Sequence, residues 1–323
     1  MMVTIFSHES DLDGVYSAAI GLIRYPQARV VFLNYSKDSF MKMRNFVETG
    51  IDSNNEGLVV ITDLGLNPDS TLIDICKDTF SLVQNNNSRV LWIDHHPWSD
   101  ETVKEIQLYA ELILESNGTK CAADLIYEKF LLGHPIAEKL ASLAHAMDYF
   151  TFDQFLTPTS ELIRYYHTFP DRYYRLTNLA RKSSQGILWD VQMQKEYSEY
   201  ELLRDEAKGH AFSSIKFLET DTLKTVLVRT SPYIQNSLFS EEVFKRTGAE
   251  LVVFYGGDGR VSIRRNTVAI SCDQIAKRLS EGGGHAFAAG AMLRSDPSNL
   301  GSVISEITAA VLASLHNNEC SQV

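Results

Sequence analysis

Four short apolar runs punctuate the first hundred residues: Val3-Thr4-Ile5-Phe6, Val30-Val31-Phe32-Leu33, Leu58-Val59-Val60-Ile61 and Val90-Leu91-Trp92-Ile93. They are rich in β-branched and aromatic residues, the composition of strands buried on both faces of a parallel sheet. Helical patterns fill the gaps near residues 14–25, 38–49 and 69–82. This repeated βα rhythm predicts an α/β fold whose N-terminal part is a mostly parallel sheet with helices on both faces. Ligands of such sheets bind beyond the carboxyl ends of the strands.

From about residue 119 the pattern turns helical, with Thr119 as the N-cap of a helix over 120–132 and a further helix over 136–149. Residues 190–210 are charged and poor in strand formers, which predicts a connecting helix. The expected organisation is a first domain over 1–189, a connecting helix over 190–211 and a smaller C-terminal α/β domain over 212–323. In the last of these, Thr225-Val226-Leu227-Val228, Leu251-Val252-Val253-Phe254-Tyr255 and Val261-Ser262-Ile263-Arg264 read as strands. The turn Gly256-Gly257-Asp258-Gly259 joins the last two as a hairpin, so the sheet is expected to be mixed. Helices are expected over 237–247, 271–281 and 298–316, with Gly282-Gly283-Gly284 between the last two.

A chain of 323 residues suits two domains that each bury an apolar interior. Cys76, Cys121, Cys272 and Cys320 form no CxxC pair and read as buried small hydrophobes in a reducing compartment. No basic leader and no apolar run of about 20 residues is present, so the expectation is a soluble, cytoplasmic protein without membrane contact. Residues 212–323 hold 11 Lys and Arg against 11 Asp and Glu, which leaves the whole net charge of −11 on residues 1–211. Such acidity argues against stable duplex binding, because few phosphates would be neutralised. Bound divalent ions would reverse the field locally and keep a small anionic substrate compatible.

The chemistry gathers at strand ends. His8-Glu9-Ser10-Asp11-Leu12-Asp13-Gly14 follows the first run, Asp63 the third, and Asp94-His95-His96 the fourth. Alone, each segment reads as a turn or a helix cap. Together they crowd carboxylates into one crevice, where they repel unless protons or cations neutralise them. Asp and His ligands without thiolate suit manganese, magnesium, iron or cobalt at an open site better than structural zinc.

These segments resemble the DHH phosphoesterase family: Asp94-His95-His96 matches the naming motif, with Asp11-Leu12-Asp13-Gly14 and Asp63 in their expected places. His145-Ala146-Met147-Asp148 matches the helical position at which the family carries a further metal-binding Asp. Gly282-Gly283-Gly284-His285 resembles the GGGH signature of the DHH-associated domain in the oligoribonuclease and RecJ-like branch. The resemblance covers nearly the whole chain. It implies two divalent ions, manganese first and magnesium or cobalt as alternatives, with His8, Asp11 and Asp63 on one, Asp13, Asp63, His95 and Asp148 on the other, and Asp63 bridging. The pair would acidify a shared water for attack on phosphorus, with His96 at the phosphate oxygens and Asp94 orienting the histidines. The spacing departs from the family at one point: two residues separate His8 from Asp11 where members commonly have one or three, and Glu9 is the alternative ligand.

Arg264 is expected to contact phosphate or base, because a guanidinium can pair bidentately with phosphate. Gly282, Gly283, Gly284 and His285 are expected to bind an anion through backbone amides at a helix start. The implied activity is hydrolysis of short oligonucleotides or small nucleotides, with the substrate held between the domains. A RecJ-like single-strand exonuclease and a non-catalytic nucleotide-binding regulator are the alternatives, and a homodimer is compatible. Tyr165, Tyr166, Phe169, Tyr173 and Tyr174 either stack on bases or pack a core.

Overall fold

A computed structural model describes residues 1–50, 56–66, 69–149, 156–220 and 223–319. Cys320 lies outside them. The chain divides into two compact units, Met1–Tyr197 and Ser198–Val323.

In the first unit β1 (Met2–His8), α1 (Leu12–Arg24), β2 (Arg29–Leu33), α2 (Lys37–Gly50), β3 (Gly57–Thr62), α3 (Ser70–Asn85), β4 (Arg89–Asp94), α4 (Asp100–Ile106) and β5 (Glu111–Leu114) alternate as the apolar runs require. All five strands are parallel, in the order β2-β1-β3-β4-β5. The strand order reverses between β1 and β3, and the crevice opened there is the natural ligand position of an open sheet. Alternation along the strands splits the core. Phe6, Val59, Ile61, Val90 and Trp92 pack with Phe40, Met43, Ile73 and Phe80 of α2 and α3. The opposite face is covered by α1, around which α5 (Ala122–Phe130), α6 (Pro135–Asp148), α7 (Leu156–Tyr166) and α8 (Arg172–Ser184) gather.

The helix α9 (Val191–Ser213) runs from the first unit into the second. The second unit adds β6 (Lys216–Leu218), β7 (Thr225–Arg229), α10 (Asn236–Thr247), β8 (Leu251–Tyr255), β9 (Arg260–Arg265), α11 (Cys272–Ala276), β10 (Ser280–Gly284), β11 (Ala288–Met292) and α12 (Leu300–Glu319). Its six strands run in the order β10-β11-β9-β8-β7-β6. Among the described residues β7 with β8 forms the one parallel pair of this sheet, through the crossover helix α10. The sheet is therefore mixed, as the hairpin signal implied.

Two expectations are corrected. Thr119 does not cap a helix: α5 starts at Ala122 with Cys121 as N-cap, and the Thr119 hydroxyl donates instead to Asn117 Oδ1 at 2.7 Å. The three glycines do not lie between two helices. The helix α11 has only five residues, and residues 280–284 form a strand paired antiparallel with 288–292. The small-residue run Ala286 to Ala291 supplies the partner strand, and side chains without bulk let the two backbones meet. Among the described residues no helix is long and apolar enough to cross a membrane.

Candidate metal centre

The carboxyl ends of β1, β3 and β4 deliver the acidic and histidine residues to one place. His8 ends β1, and Asp11 caps α1 by accepting from Gly14 N at 3.0 Å. The short connection must wrap tightly around His8: a Cβ on Gly14 would stand 2.2 Å from the His8 carbonyl oxygen. Glycine is the one residue that fits. Asp63 follows β3 with φ +57, a left-handed conformation that costs a non-glycine residue energy and clusters at functional sites. Its N–H donates to Ile93 O at 3.1 Å, and the Trp92 indole donates to Leu64 O at 2.9 Å, so β4 fixes the turn.

The two oxygens of Asp63 face different partners. Oδ2 lies 3.5 Å from His8 Nδ1, which itself stands 2.7 Å from Asp11 Oδ2. Oδ1 lies 3.4 Å from His95 Nε2, and Asp13 Oδ2 stands 3.7 Å from the same nitrogen. His8, Asp11 and Asp63 bring ligand atoms within 4.8 Å of one another, as do Asp63, His95 and His96. Two ligand groups thus share one carboxylate. Asp148, at the end of α6, sits on the other side of the His95 ring, 3.7 Å from Nδ1.

Asp13 is held by a helix end. Its carboxylate accepts from Ala122 N and Ala123 N, both at 2.8 Å, at the N-terminus of α5, where backbone donors are unsatisfied and the helix dipole favours negative charge. The amides that open α5 therefore serve a carboxylate of the protein itself.

Burial and mutual repulsion set the protonation. Burial, then the charge of Asp11, pushes Asp63 up to about 8. Burial and Asp63 together raise Asp13 well above the carboxylate range, and burial likewise raises Asp148. Burial works against a charged His8, but Asp11 and Asp63 outweigh it and hold the ring up at about 11. His8 Nδ1 and Asp63 Oδ2 are buried and make no well-aligned hydrogen bond, although Asp11 Oδ2 and Asp63 Oδ2 both stand close to the ring nitrogen. Orphaned donor atoms among crowded carboxylates are what a cation satisfies, so nitrogen and oxygen ligands of this kind fit hard or borderline divalent ions.

Asp94 is fully buried and completely used: it accepts from the Trp98 indole at 2.8 Å and meets His96 Nδ1 at 2.8 Å. Burial opposes a charged His96, yet Asp94 holds the ring up at about 9. The outer nitrogen, His96 Nε2, contacts the Tyr35 hydroxyl at 3.1 Å, and the Tyr35 ring lies 4.8 Å from that of His8. Sequence reasoning passes over Tyr35 because the end of β2 carries no acid or histidine; the strand-end rule alone would flag it. Reasoning from the sequence also misses a third group, Cys121, Asp124 and His145. There Asp124 is already engaged, accepting from Cys121 N at 3.1 Å and meeting His145 Nδ1 at 2.7 Å, which ties α5 to α6.

The remaining candidates belong to the second unit. Arg264 lies on β9 opposite Ala288 of β11, and its Nη1 donates to Ile263 O at 2.9 Å. Arg265 turns the other way and donates to Val268 O. Gly282 is packed so closely that a Cβ would stand 1.7 Å from Ala276 O, whereas a Cβ on Gly283 meets nothing within 4 Å. Of the aromatic residues considered for base stacking, Tyr165 and Tyr166 are buried, the Tyr173 ring carries Lys42 and Arg172, and Tyr174 is exposed.

No family model matches the sequence, and no curated protein matches it significantly. Solved structures share the fold. A pGpG-specific phosphodiesterase from Vibrio cholerae aligns over 97% of this chain and 100% of its own, with a TM-score of 0.54 and 11% identity. An exopolyphosphatase-related protein from Bacteroides fragilis aligns over 98% of this chain and 93% of its own, with a TM-score of 0.52 and 13% identity. At such identities the likeness is one of fold.

Proposed function

We propose that this chain is a metal-dependent phosphoesterase of the DHH kind that hydrolyses short oligonucleotides or small nucleotides. The observation that carries the reading is Asp63, a buried carboxylate in a left-handed turn whose two oxygens face two separate ligand groups. The names of the two fold relatives, a phosphodiesterase and an exopolyphosphatase-related protein, support the reaction class.

His8, Asp11 and Asp63 would hold one divalent ion, and Asp13, Asp63 and His95, through Nε2, a second, with manganese the first choice; Asp148, which the family resemblance implies as a further ligand, stands at the opposite ring nitrogen of His95 and would orient that ring. When bound, the ions supply Lewis acidity towards phosphate and a lowered pKa for a nucleophilic water. The chain's own groups do the rest. Asp94 fixes the His96 ring, leaving Nε2 to donate to a phosphate oxygen beside the Tyr35 hydroxyl. Arg264, Gly282, Gly283, Gly284 and His285 bind the substrate, Arg264 through its guanidinium. The net charge of −11 favours small substrates over duplexes.

The test is a hydrolysis panel with manganese: RNA and DNA of two to about 20 nucleotides, 3′-phosphoadenosine 5′-phosphate, cyclic dinucleotides and pyrophosphate, with Asp63→Ala as control. Activity on the shortest substrates that vanishes in Asp63→Ala is the expected result. Processive digestion of the longest strands would assign the exonuclease reading, and nucleotide binding without any hydrolysis the regulator.

A further inference from the structure

Phe287 is 63% exposed at the tip of the β10–β11 hairpin. Its ring is stacked on that of His285, with centroids 5.4 Å apart and planes within 6°. Parallel offset stacking of this kind leaves the far side of a ring pair flat and open to a third ring.

The tip is held in place from several directions. His285 N donates to Ala288 O at 2.8 Å and Ala288 N to His285 O at 3.3 Å, which closes the turn. Cys272 N donates to Ala286 O at 2.8 Å and pins the turn sideways. The arm leading to it is strained at Glu281, which has φ +49, and irregular beyond it: a register shift separates Ser280 from Gly283, and Gly284 takes φ +145, which glycine reaches freely. Strain that the surroundings sustain is a mark of functional segments.

A cation lies close by in the sheet. Arg264 pairs in register with Ala288, the residue after Phe287, and has no carboxylate partner among the described residues. Gly283, on the neighbouring strand, leaves open space where a side chain would stand. An exposed ring pair, an uncompensated guanidinium and a bare stretch of strand lie on the three neighbouring strands β10, β11 and β9 and the turn that joins the first two. Base and phosphate together are the chemistry that this combination recognises.

We propose that the His285–Phe287 ring pair is a nucleobase platform, so that the second unit selects nucleotides over base-free phosphate compounds by stacking on Phe287. This rests on the reading that the substrate is a nucleotide, and it places Phe287 as the residue that distinguishes nucleotides from polyphosphate or sugar phosphates. Stacking tolerates any base, so the preference is for a base as such and not for its identity.

The test is calorimetric titration of the full chain with AMP and with ribose 5-phosphate, with and without manganese, for the wild type, Phe287→Ala and Phe287→Trp. AMP should bind the wild type about fivefold or more tighter than ribose 5-phosphate. Phe287→Ala should abolish that difference by weakening AMP alone, and Phe287→Trp should keep it. Equal affinities in the wild type, no AMP binding in either condition, or unchanged AMP binding in Phe287→Ala would overturn the proposal. So would a dimer that Phe287→Ala converts to monomers while AMP binding is retained, since a second copy would then cover the ring. Base-dependent binding with no hydrolysis anywhere in the panel would remove the phosphoesterase reading and leave this one standing; hydrolysis without base preference would do the reverse.

Discussion

The strand ends of the first unit and the hairpin of the second solve opposite problems. In the first, residues far apart in sequence, from His8 to Asp148, are driven together against their charge, and buried carboxylates keep protons they would lose in water. In the second, one contiguous segment, residues 280–292, does its work with little side chain at all: glycine and alanine let backbones approach, and two rings project at the turn. The first site stores electrostatic stress that a cation relieves. The second stores conformational stress in an arm that presents a surface. On the proposed function, reaction chemistry draws on the former and recognition on the latter.

The contrast can be broken most severely at Asp63. If one carboxylate serves both ligand groups, Asp63→Ala should lower manganese affinity by about a thousandfold or more and abolish binding of both ions, since two shared ligand bonds are lost at once. Calorimetry that still counts two ions per chain would show that the groups are independent.

Next comes the glycine arm. Gly282→Ala should destabilise the second unit by about 2–4 kcal/mol, because a Cβ overlaps the Ala276 carbonyl and the backbone must move. Gly283→Ala, with nothing near its added methyl, should stay within about 0.5 kcal/mol or stabilise slightly. Thermal unfolding of the pair measures the difference, and equal losses would mean that the hairpin yields freely.

A smaller effect sharpens the electrostatic half. Without metal, Asp63 holds its proton up to about pH 8 and His8 up to about pH 11, while ligation requires both to be deprotonated. Binding therefore releases protons, and manganese affinity should rise with pH, by up to about tenfold per unit for each proton released. A titration series from pH 6 to 8 that showed flat affinity would remove the crowding argument. The smallest expected change is Tyr35→Phe, which deletes one hydroxyl from the His96 contact and should cost turnover about tenfold or less with folding unchanged.

Much of the first unit is legible because its strands are buried on both faces: continuous apolar runs have few alternatives, and the strand-end rule places the polar residues just beyond them. His8, Asp13, Asp63 and His95 converge for that reason. Asp148 needs a family pattern, since nothing in the spacing of a single helical Asp says that its helix ends beside a histidine. The hairpin escapes a reading of the sequence because Gly282-Gly283-Gly284 carries no periodicity. Three glycines allow any backbone, and a partner strand of equally small residues is what makes them a strand.

Tyr35 and Phe287 mark the same boundary from the other side. Their importance lies in what they touch, and contact is a property of the folded chain. By itself, the order of apolar and polar residues determined the βα alternation, the parallel sheet and the set of charged groups at its edge, because burial periodicity and strand polarity act locally and are written residue by residue. The sharing of Asp63 between two ligand groups, the surrender of the α5 amides to Asp13 and the stacking of His285 on Phe287 were decided only by tertiary structure. Each depends on distances between segments brought together by packing.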